Sequence, residues 1–245
     1  MSKSKVIIVM PAFNLAYILA KTVAAIPPGS YDEIIVVDDG SKDDTAQVAR
    51  NLGCRVVVHP RNIGYGGVQK TGYRQALERK ADIVVMVHGD NQYDPTLVPF
   101  FVSKIADEGC GLVTGTRMVQ GNALEKGMPM WKFFPNLFLT WLENVAFGTH
   151  LTDYHNGYRA YSAKFLQEIP FNEFSDKFDF DTDITVQCAI RKYKIGEIPH
   201  PIRYLKENSQ MSFPQGIVYG LSILRTVFLF SLHKTGIYKQ KIFTY

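Results

Sequence analysis

The sequence predicts an α/β fold of the doubly wound kind, a mostly parallel sheet flanked by helices, and three observations carry that expectation. Four short runs, residues 6–10, 33–37, 82–87 and, more weakly, 55–59, are rich in valine and isoleucine and nearly continuously apolar. Such runs mark strands buried on both faces, as in a parallel sheet between two helix layers. Stretches of helical character lie between them, so strand and helix alternate through the first half of the chain. The residues that follow the strands are polar: Pro11-Ala12-Phe13-Asn14, Asp38-Asp39-Gly40-Ser41 and His88-Gly89-Asp90-Asn91-Gln92. Doubly wound sheets bind ligands beyond the carboxyl ends of their strands, so chemistry is expected in these three segments.

A helix over residues 16–26 follows the first strand. The second strand leads into a helix over 41–52, opened by Ser41 and Asp44 in a capping-box arrangement. The run Asn62-Ile63-Gly64-Tyr65-Gly66-Gly67 precedes a helix over 67–79. After the strand at 82–87, Asp94-Pro95 reads as a helix start, with aspartate as N-cap and proline in the first turn. From Gly121 the alternation fades into an aromatic stretch marked by glycine and proline, then 153–159, a helix continuing over 184–191, a strand and a C-terminal helix over 217–232. In that last helix Ile217, Leu221, Leu224 and Phe228 recur at helical spacing, an amphipathic pattern. It holds about sixteen residues and includes Arg225, short of the roughly twenty that cross a bilayer. Two placements stay open for it: packed on the core, or lying on a membrane surface with Lys234, Lys239 and Lys241 beside it. No linker or repeat interrupts residues 1–245, so one domain with two functional halves is expected.

Composition narrows the class. A chain of 245 residues, 46% hydrophobic and 20% charged, is globular, neither disordered nor fibrous. Its sixteen Phe and thirteen Tyr supply a core that needs no staple. Cys54, Cys110 and Cys188 are odd in number and far apart, which fits neither a disulfide framework nor a zinc site and points to a reducing compartment. The net charge of +4 is dispersed, without the basic tract of a nucleic-acid binder. The first apolar stretch is too short for a secretion signal, so a place inside the cell is expected.

The polar segments suggest particular chemistry. Asp38 and Asp39 stand between a buried strand and a helix start, where Asp39 can accept from the N–H or hydroxyl groups of a ligand; favouring the helix dipole is the alternative use. Asp90 and Gln92 offer two hard oxygen donors two residues apart, suited to Mg²⁺ or Mn²⁺ shared with phosphates. The backbone N–H groups around Gly64 either cradle phosphate or simply form a turn. Lys70 and Arg74, four apart, face phosphate or solvent. Asp179, Asp181 and Asp183 crowd the start of one helix; capping accounts for one, and the others are candidates to hold an acceptor or take its proton.

Together, Pro-Ala-x-Asn after the first strand, Asp-Asp-Gly-Ser-x-Asp-Asp-Thr at 38–45, the glycine-rich run at 62–67, Asp90 and Gly115-Thr116-Arg117 resemble the family 2 glycosyltransferases of the GT-A fold, from about residue 5 to 210. Within that family the chain looks most like the polyprenyl-phosphate sugar synthases of the dolichyl-phosphate mannose synthase type, because Asp153, Gly157 and Arg159 match their Asp-x-x-Ser-Gly-Phe-Arg pattern. The resemblance implies that Pro11 and Phe13 line the nucleotide, Asp39 meets the base, and Asp90 and Gln92 bind the metal. It further implies that Arg117, with Lys132 and Asn136, meets the acceptor phosphate. Arg203, Lys206 and Ser209 fall where the family closes a basic loop over the diphosphate. Two positions depart from the pattern: Leu15 stands where an acidic ribose contact is usual, and His88 where the first aspartate of Asp-x-Asp is usual.

The implied reaction is inverting transfer from a UDP- or GDP-linked sugar to a polyprenyl phosphate, with residues up to about 118 taking the donor and 119–245 the acceptor. A phosphate monoester is already ionised at pH 7 and attacks without a base, held by cations such as Arg117, Lys132 and Arg159. A hydroxyl acceptor needs a base, and Asp181 or Asp183 would then serve. The implied location is cytoplasmic, with the inner membrane face as a peripheral site. Nucleotidyl transfer is disfavoured by the missing glycine-rich, lysine-bearing opening, and a binding module without catalysis is the other rival.

Overall fold

The computed structural model describes residues 4–119, 123–125, 127–200 and 212–244. Seven strands, β1 (Val6–Ala12), β2 (Glu33–Asp38), β3 (Arg55–Val58), β4 (Ile83–Met86), β5 (Leu112–Thr116), β6 (Arg159–Ser162) and β7 (Ile195–Pro199), form one sheet in the order β3-β2-β1-β4-β6-β5-β7. Every pairing is parallel except those of β6, which runs against both its neighbours. Met86 of β4 and Thr114 of β5 both lie opposite Arg159, so the first residue of β6 arrives at the edge where the other strands end. The chain moves outward from β1 to β2 and β3, then returns to place β4 on the other side of β1. That reversal opens a crevice at the strand ends.

The helices are α1 (Leu19–Ala24), α2 (Thr45–Asn51), α3 (Tyr65–Glu78), α4 (Val98–Ala106), α5 (Met130–Phe147), α6 (Ala163–Glu168), α7 (Phe180–Ile190) and α8 (Phe213–Lys234). Alternate residues of the same strands enter different cores: Ile8, Met10, Val36 and Val85 pack with Phe101 and Tyr158, whereas Val9, Ile35, Val84 and Met86 pack with Tyr73 and Phe180. Both faces are thus covered, the physical reason for continuously apolar strands. A third core joins α5, α7 and α8 through Leu139, Phe147, Val186, Ile223, Val227 and Phe230.

Local expectations fare unevenly. Asp94 caps as expected, accepting from the Thr96 N–H at 3.1 Å, with Pro95 in the first turn of a short 3-10 segment that runs into α4. The expected capping box at Ser41 and Asp44 does not form. α2 starts later, after Asp44, whose side chain makes no capping bond, because the Ser41 hydroxyl donates to Asp38 instead. A capping box is found at Ser212 and Gln215, where α8 begins. That helix is 22 residues long with mean hydropathy 1.4, long and apolar enough to cross a membrane by length and composition, which corrects the shorter span read from sequence. Pro214 and Gly216 suggest a break, but proline in the first turn costs no hydrogen bond.

Candidate active site

The β1 and β2 loops are stitched together before any ligand is considered. Asn14, in left-handed backbone at φ 53°, donates its N–H to Ser41 Oγ at 2.8 Å and accepts from the Lys42 N–H at 2.8 Å. The Leu15 N–H donates to Thr45 Oγ1 at 2.7 Å, and the Leu15 side chain is buried in the core, so it reaches no ribose. Asp38 is buried and accepts from the Ser41 N–H at 3.2 Å and from its hydroxyl, a turn-forming use. Pro11 is half-buried at the end of β1, while the Phe13 ring beyond it is 45% exposed, an unpartnered flat surface at the crevice.

Asp39 is held from three sides. Its Oδ1 pairs with His59 Nδ1 at 2.8 Å and accepts from the Ile63 N–H at 3.0 Å, and its Oδ2 accepts from the Gly64 N–H at 3.2 Å. His59 in turn contacts Thr71 Oγ1 through Nε2 at 3.0 Å. A carboxylate has about four lone-pair positions, so one direction on Asp39 stays open to a ligand donor. Of the two roles left open for the glycine run, phosphate cradle or turn, its N–H groups serve the turn, bonding within the protein. The N–H groups of Gly66 and Gly67 donate to the Asp176 carbonyl at 2.9 and 3.4 Å, and that of Gly64 serves Asp39. A Cβ on Gly66 would lie 2.4 Å from the Ser175 carbonyl oxygen, so close backbone approach explains the glycine there. Lys70 points at the same loop, donating to Asp176 at 2.8 Å and to the Phe174 carbonyl, and Arg74 faces solvent.

After β4, the ring of His88 sits between Tyr65 and Tyr93, centroids 5.7 and 4.9 Å away, and burial lowers its pKa, leaving it neutral at pH 7. Asp90 is buried and accepts from the Gln92 N–H at 3.0 Å, a turn that holds the two side chains close in sequence at the crevice floor. Among the described residues no group of three or more His, Cys, Asp or Glu side chains is arranged to hold a metal ion. One buried carboxylate with a neighbouring amide fits a hard divalent ion that takes most of its ligands from phosphates and water, the usual habit of Mg²⁺.

The opposite wall is an ionic network centred on Asp153. Arg117 grips its carboxylate with both prongs, Nε to Oδ2 at 2.6 Å and Nη2 to Oδ1 at 2.8 Å, and Asn136 of α5 donates to Oδ1 at 3.1 Å. Burial alone would raise the Asp153 pKa, but the Arg117 charge and these bonds hold it well below the usual carboxylate range. The Gly115 before this arginine is required by His200, whose ring would meet a Cβ at 2.6 Å. Lys132, in the first turn of α5, lies over the Trp131 ring at 5.0 Å; burial and the Arg117 charge both lower its pKa. Two cations are thereby held within each other's field.

Arg159 differs from the expected acceptor cation. It is 1% exposed and donates to the carbonyls of Asn156, Asp181 and Tyr154 and to Thr185 Oγ1, all at 2.8–2.9 Å, so four of its five N–H groups bind the protein itself. Its charge tethers α7 to the 154–156 loop. Asp181 also differs from a free base: it accepts from the Tyr65 hydroxyl at 2.9 Å and from Gln69 at 3.2 Å, with Arg159 at 3.9 Å. Asp183 accepts the Ser175 N–H at 3.2 Å, and burial pushes its pKa up to about 7. Arg203, Lys206 and Ser209 lie outside the described residues.

Several site residues escaped sequence reading. Glu143 of α5 is buried with Oε2 3.3 Å from His155 Nε2; burial raises the Glu143 pKa well above its usual value and lowers that of His155 to about 3, so the imidazole is neutral at pH 7. His155 Nδ1 meets the Tyr219 hydroxyl of α8 at 2.9 Å. The spacing Tyr65, Gln69, Tyr73 on one helix face was the available signal for a polar seam, since Tyr73 donates on to Gln69.

A doubly wound sheet with a buried acidic turn at its switch point, faced by a wall that carries Arg117 and Lys132, is an arrangement of the GT-A fold class. The profile of Glycosyl transferase family 2 matches residues 7–170, and the chain belongs to that family. It is 30% identical over 223 residues to an uncharacterized protein of Methanocaldococcus jannaschii, covering 91% of this chain and 90% of that one. It is 26% identical to a UDP-N-acetylglucosamine–dolichyl-phosphate N-acetylglucosaminyltransferase of Methanococcus voltae, over 96% and 99% of the two chains. To an undecaprenyl-phosphate mannosyltransferase of Micrococcus luteus it is 28% identical, over 80% and 82%. Among solved structures, glucosyl-3-phosphoglycerate synthase from Mycobacterium tuberculosis in complex with UDP superposes with TM-score 0.70 at 22% identity, covering 96% of this chain and 81% of that one, so the fold is shared.

Proposed function

We propose that this glycosyltransferase moves a sugar from a UDP- or GDP-linked donor to a polyprenyl phosphate at the inner face of the membrane, with inversion at the anomeric carbon. In this reading residues up to about 118 take the donor and the remainder takes the acceptor. The carrying observation is the placement of Lys132, in the first turn of α5, beside Arg117: burial lowers the Lys132 pKa and the Arg117 charge adds to that, a setting in which a bound anion is favourable. The names of the Methanococcus voltae and Micrococcus luteus relatives, both transferases to such lipid phosphates, support it.

The chain's own residues have distinct tasks. Phe13 and Pro11 flank the base, and Asp39, with its one open direction, accepts a base N–H. Asp38 keeps the β2 turn closed, and Gly64 braces Asp39. Mg²⁺ or Mn²⁺ held by Asp90 and Gln92 would neutralise charge on the leaving diphosphate; solved structures of the Mycobacterium tuberculosis synthase contain Mn²⁺ with UDP. Arg117 and Lys132 hold the attacking phosphate, Asn136 and Asp153 fix Arg117, and Arg159 fixes the loop beneath them. Asp181, engaged by two donors, orders Tyr65 and Gln69. No base is needed, because the acceptor phosphate is ionised at pH 7. The runner-up is a hydroxyl acceptor with Asp183 as base, favoured by its pKa of about 7, near the optimum for proton transfer.

Radiolabelled UDP-glucose, UDP-N-acetylglucosamine and GDP-mannose, each with polyprenyl phosphate and Mn²⁺ or Mg²⁺, test the proposal. One donor should give a labelled lipid, with Asp90→Asn losing most metal-dependent turnover. Efficient transfer to the dephosphorylated polyprenol, abolished in Asp183→Asn, would favour the runner-up. Transfer to 3-phosphoglycerate alone would refute the lipid acceptor.

A further inference from the structure

The base end of the crevice is built without help from a nucleotide. The Asp39 N–H donates to the Ala12 carbonyl at 2.9 Å, which sets Asp39 beside the end of β1, and the His59 N–H donates to the Asp38 carbonyl at 2.9 Å. The loop that follows His59 is pressed onto the β2 turn: a Cβ on Gly40, itself at φ 76°, would lie 2.9 Å from the Arg61 carbonyl carbon. The donors that reach Asp39 therefore come from a backbone with little room to shift. His59 is fixed at its other nitrogen as well, 3.0 Å from Thr71 Oγ1 of α3. Side-chain exposure is 11% for His59 and 5% for Asp39, so the carboxylate meets the crevice through a narrow opening.

The two oxygens of that carboxylate are not equivalent. Oδ1 takes the His59 ring at 2.8 Å and the Ile63 N–H at 3.0 Å, and two donors fill the two lone pairs of one oxygen. A carboxylate only accepts, so Nδ1 is the N–H end of the His59 ring. Oδ2 takes the Gly64 N–H at 3.2 Å and keeps one lone pair. Asp39 can thus receive one ligand donor but not two side by side. The bases differ in this respect. Uracil presents a single ring N–H between two carbonyls. Guanine presents a ring N–H next to an exocyclic amine, a pair that suits a carboxylate with both oxygens free, one donor to each. A guanine edge offered to Asp39 would bring one of its donors, stripped of water, against an oxygen that is already filled.

We infer that His59 makes this site selective for a uracil-type base by occupying the Asp39 oxygen that guanine would need. The inference rests on the reading in which Asp39 meets the base, and it narrows the donor from a UDP- or GDP-linked sugar to a UDP-linked one. His59 is here a positioning residue that acts through Asp39. Its signature is the ratio of affinities for two bases, not the affinity for either.

Calorimetry on the full chain with Mn²⁺, titrating UDP, 3-methyl-UDP, GDP and inosine diphosphate, tests the inference, because the four share the diphosphate and differ at the edge that Asp39 reads. UDP should bind about tenfold or more tightly than GDP. Inosine diphosphate, which lacks the exocyclic amine, should bind no more weakly than GDP. His59→Leu frees Oδ1 and should lower the UDP-to-GDP affinity ratio by about threefold or more, with GDP overtaking inosine diphosphate. His59→Asn, whose amide can donate from the Nδ1 position, should restore the wild-type ratio. Both variants are checked by melting temperature, and the comparison of GDP with inosine diphosphate on the wild-type chain stands even if neither folds. GDP binding as tightly as UDP, GDP exceeding inosine diphosphate by about tenfold on the wild-type chain, or a folded His59→Leu that weakens all nucleotides alike would overturn the inference and leave Asp39 as the base contact. Equal affinity for UDP and 3-methyl-UDP, or no binding of any of the four, would instead remove the base contact at Asp39, and both readings with it.

Discussion

Replacing Arg117 by methionine should cost the fold about as much as any single surface-to-core change in this protein. Asp153 is fully buried, and its carboxylate receives both guanidinium prongs, the Asn136 amide at 3.1 Å and the backbone N–H groups of Arg117 and His155 at 3.2 Å. Methionine keeps the length of the side chain but leaves a buried carboxylate with neutral donors only. Breaking a buried pair from one side costs roughly 3 to 5 kcal/mol. Asp153→Asn should cost less, about 1 to 3 kcal/mol, because the Arg117 side chain is 12% exposed and can turn toward water. The double variant should be more stable than the sum of the two losses predicts, by about 2 to 3 kcal/mol. Urea unfolding of the four proteins at pH 7, followed by circular dichroism, gives these quantities. A loss below about 1 kcal/mol for Arg117→Met, with no coupling in the cycle, would refute the buried-pair account. The cycle also bears on function: a fall in turnover in an Arg117 variant counts against acceptor binding only after this structural cost is removed, for which Arg117→Lys, keeping the charge but not the fork, is the companion.

Asp183 sets a pH dependence of opposite sign to that of Asp153. Its folded pKa of about 7 lies above the 3.8 of an unperturbed aspartate, so the native state binds the proton more tightly and stability is lost as pH rises between those values. The loss amounts to roughly 3 to 4 kcal/mol, and Asp183→Asn should remove it, so the stability difference between the variant and the parent must grow from pH 4 to pH 8; a flat difference would contradict the assignment. Gly66→Ala should destabilise by about 1 to 3 kcal/mol through its clash with the Ser175 carbonyl. Gly67→Ala, which meets only the movable Ile63 side chain, should be near neutral or gain up to about 1 kcal/mol in helix propensity, and equal melting temperatures for the pair would count against the close-approach explanation.

What was legible in the sequence was whatever one element declares by itself. β1, β2 and β4 announce themselves because burial on both faces demands unbroken valine and isoleucine, and Asp94-Pro95 announces a helix start because both side chains act within one turn. β6 was invisible: Arg159-Ala160-Tyr161-Ser162 has no strand pattern and is extended because two neighbours pair with it. α5 was hidden by Pro135 and its many aromatics. The capping box was assigned to Ser41 because local spacing cannot register that Asp38 competes for the hydroxyl. In the candidate site, Asp39 and Asp90 could be singled out from their place after strands, whereas His59, Tyr65, Glu143 and Tyr219 make their contacts with partners distant in sequence.

The reversed strand β6 has a consequence for synthesis of the chain. β4 is laid down as the open edge of a four-stranded sheet, and its other partner, β6, lies about seventy residues further along. At roughly 5 to 20 residues per second, the Ile83–Met86 edge waits about 4 to 14 seconds on the ribosome with its backbone groups unpaired. An apolar edge of that kind is a template for pairing with another chain. Ribosome-bound nascent chains ending between β4 and β6 are therefore where chaperone dependence or aggregation of this protein should concentrate, and chains long enough to contain Ser162 should escape it.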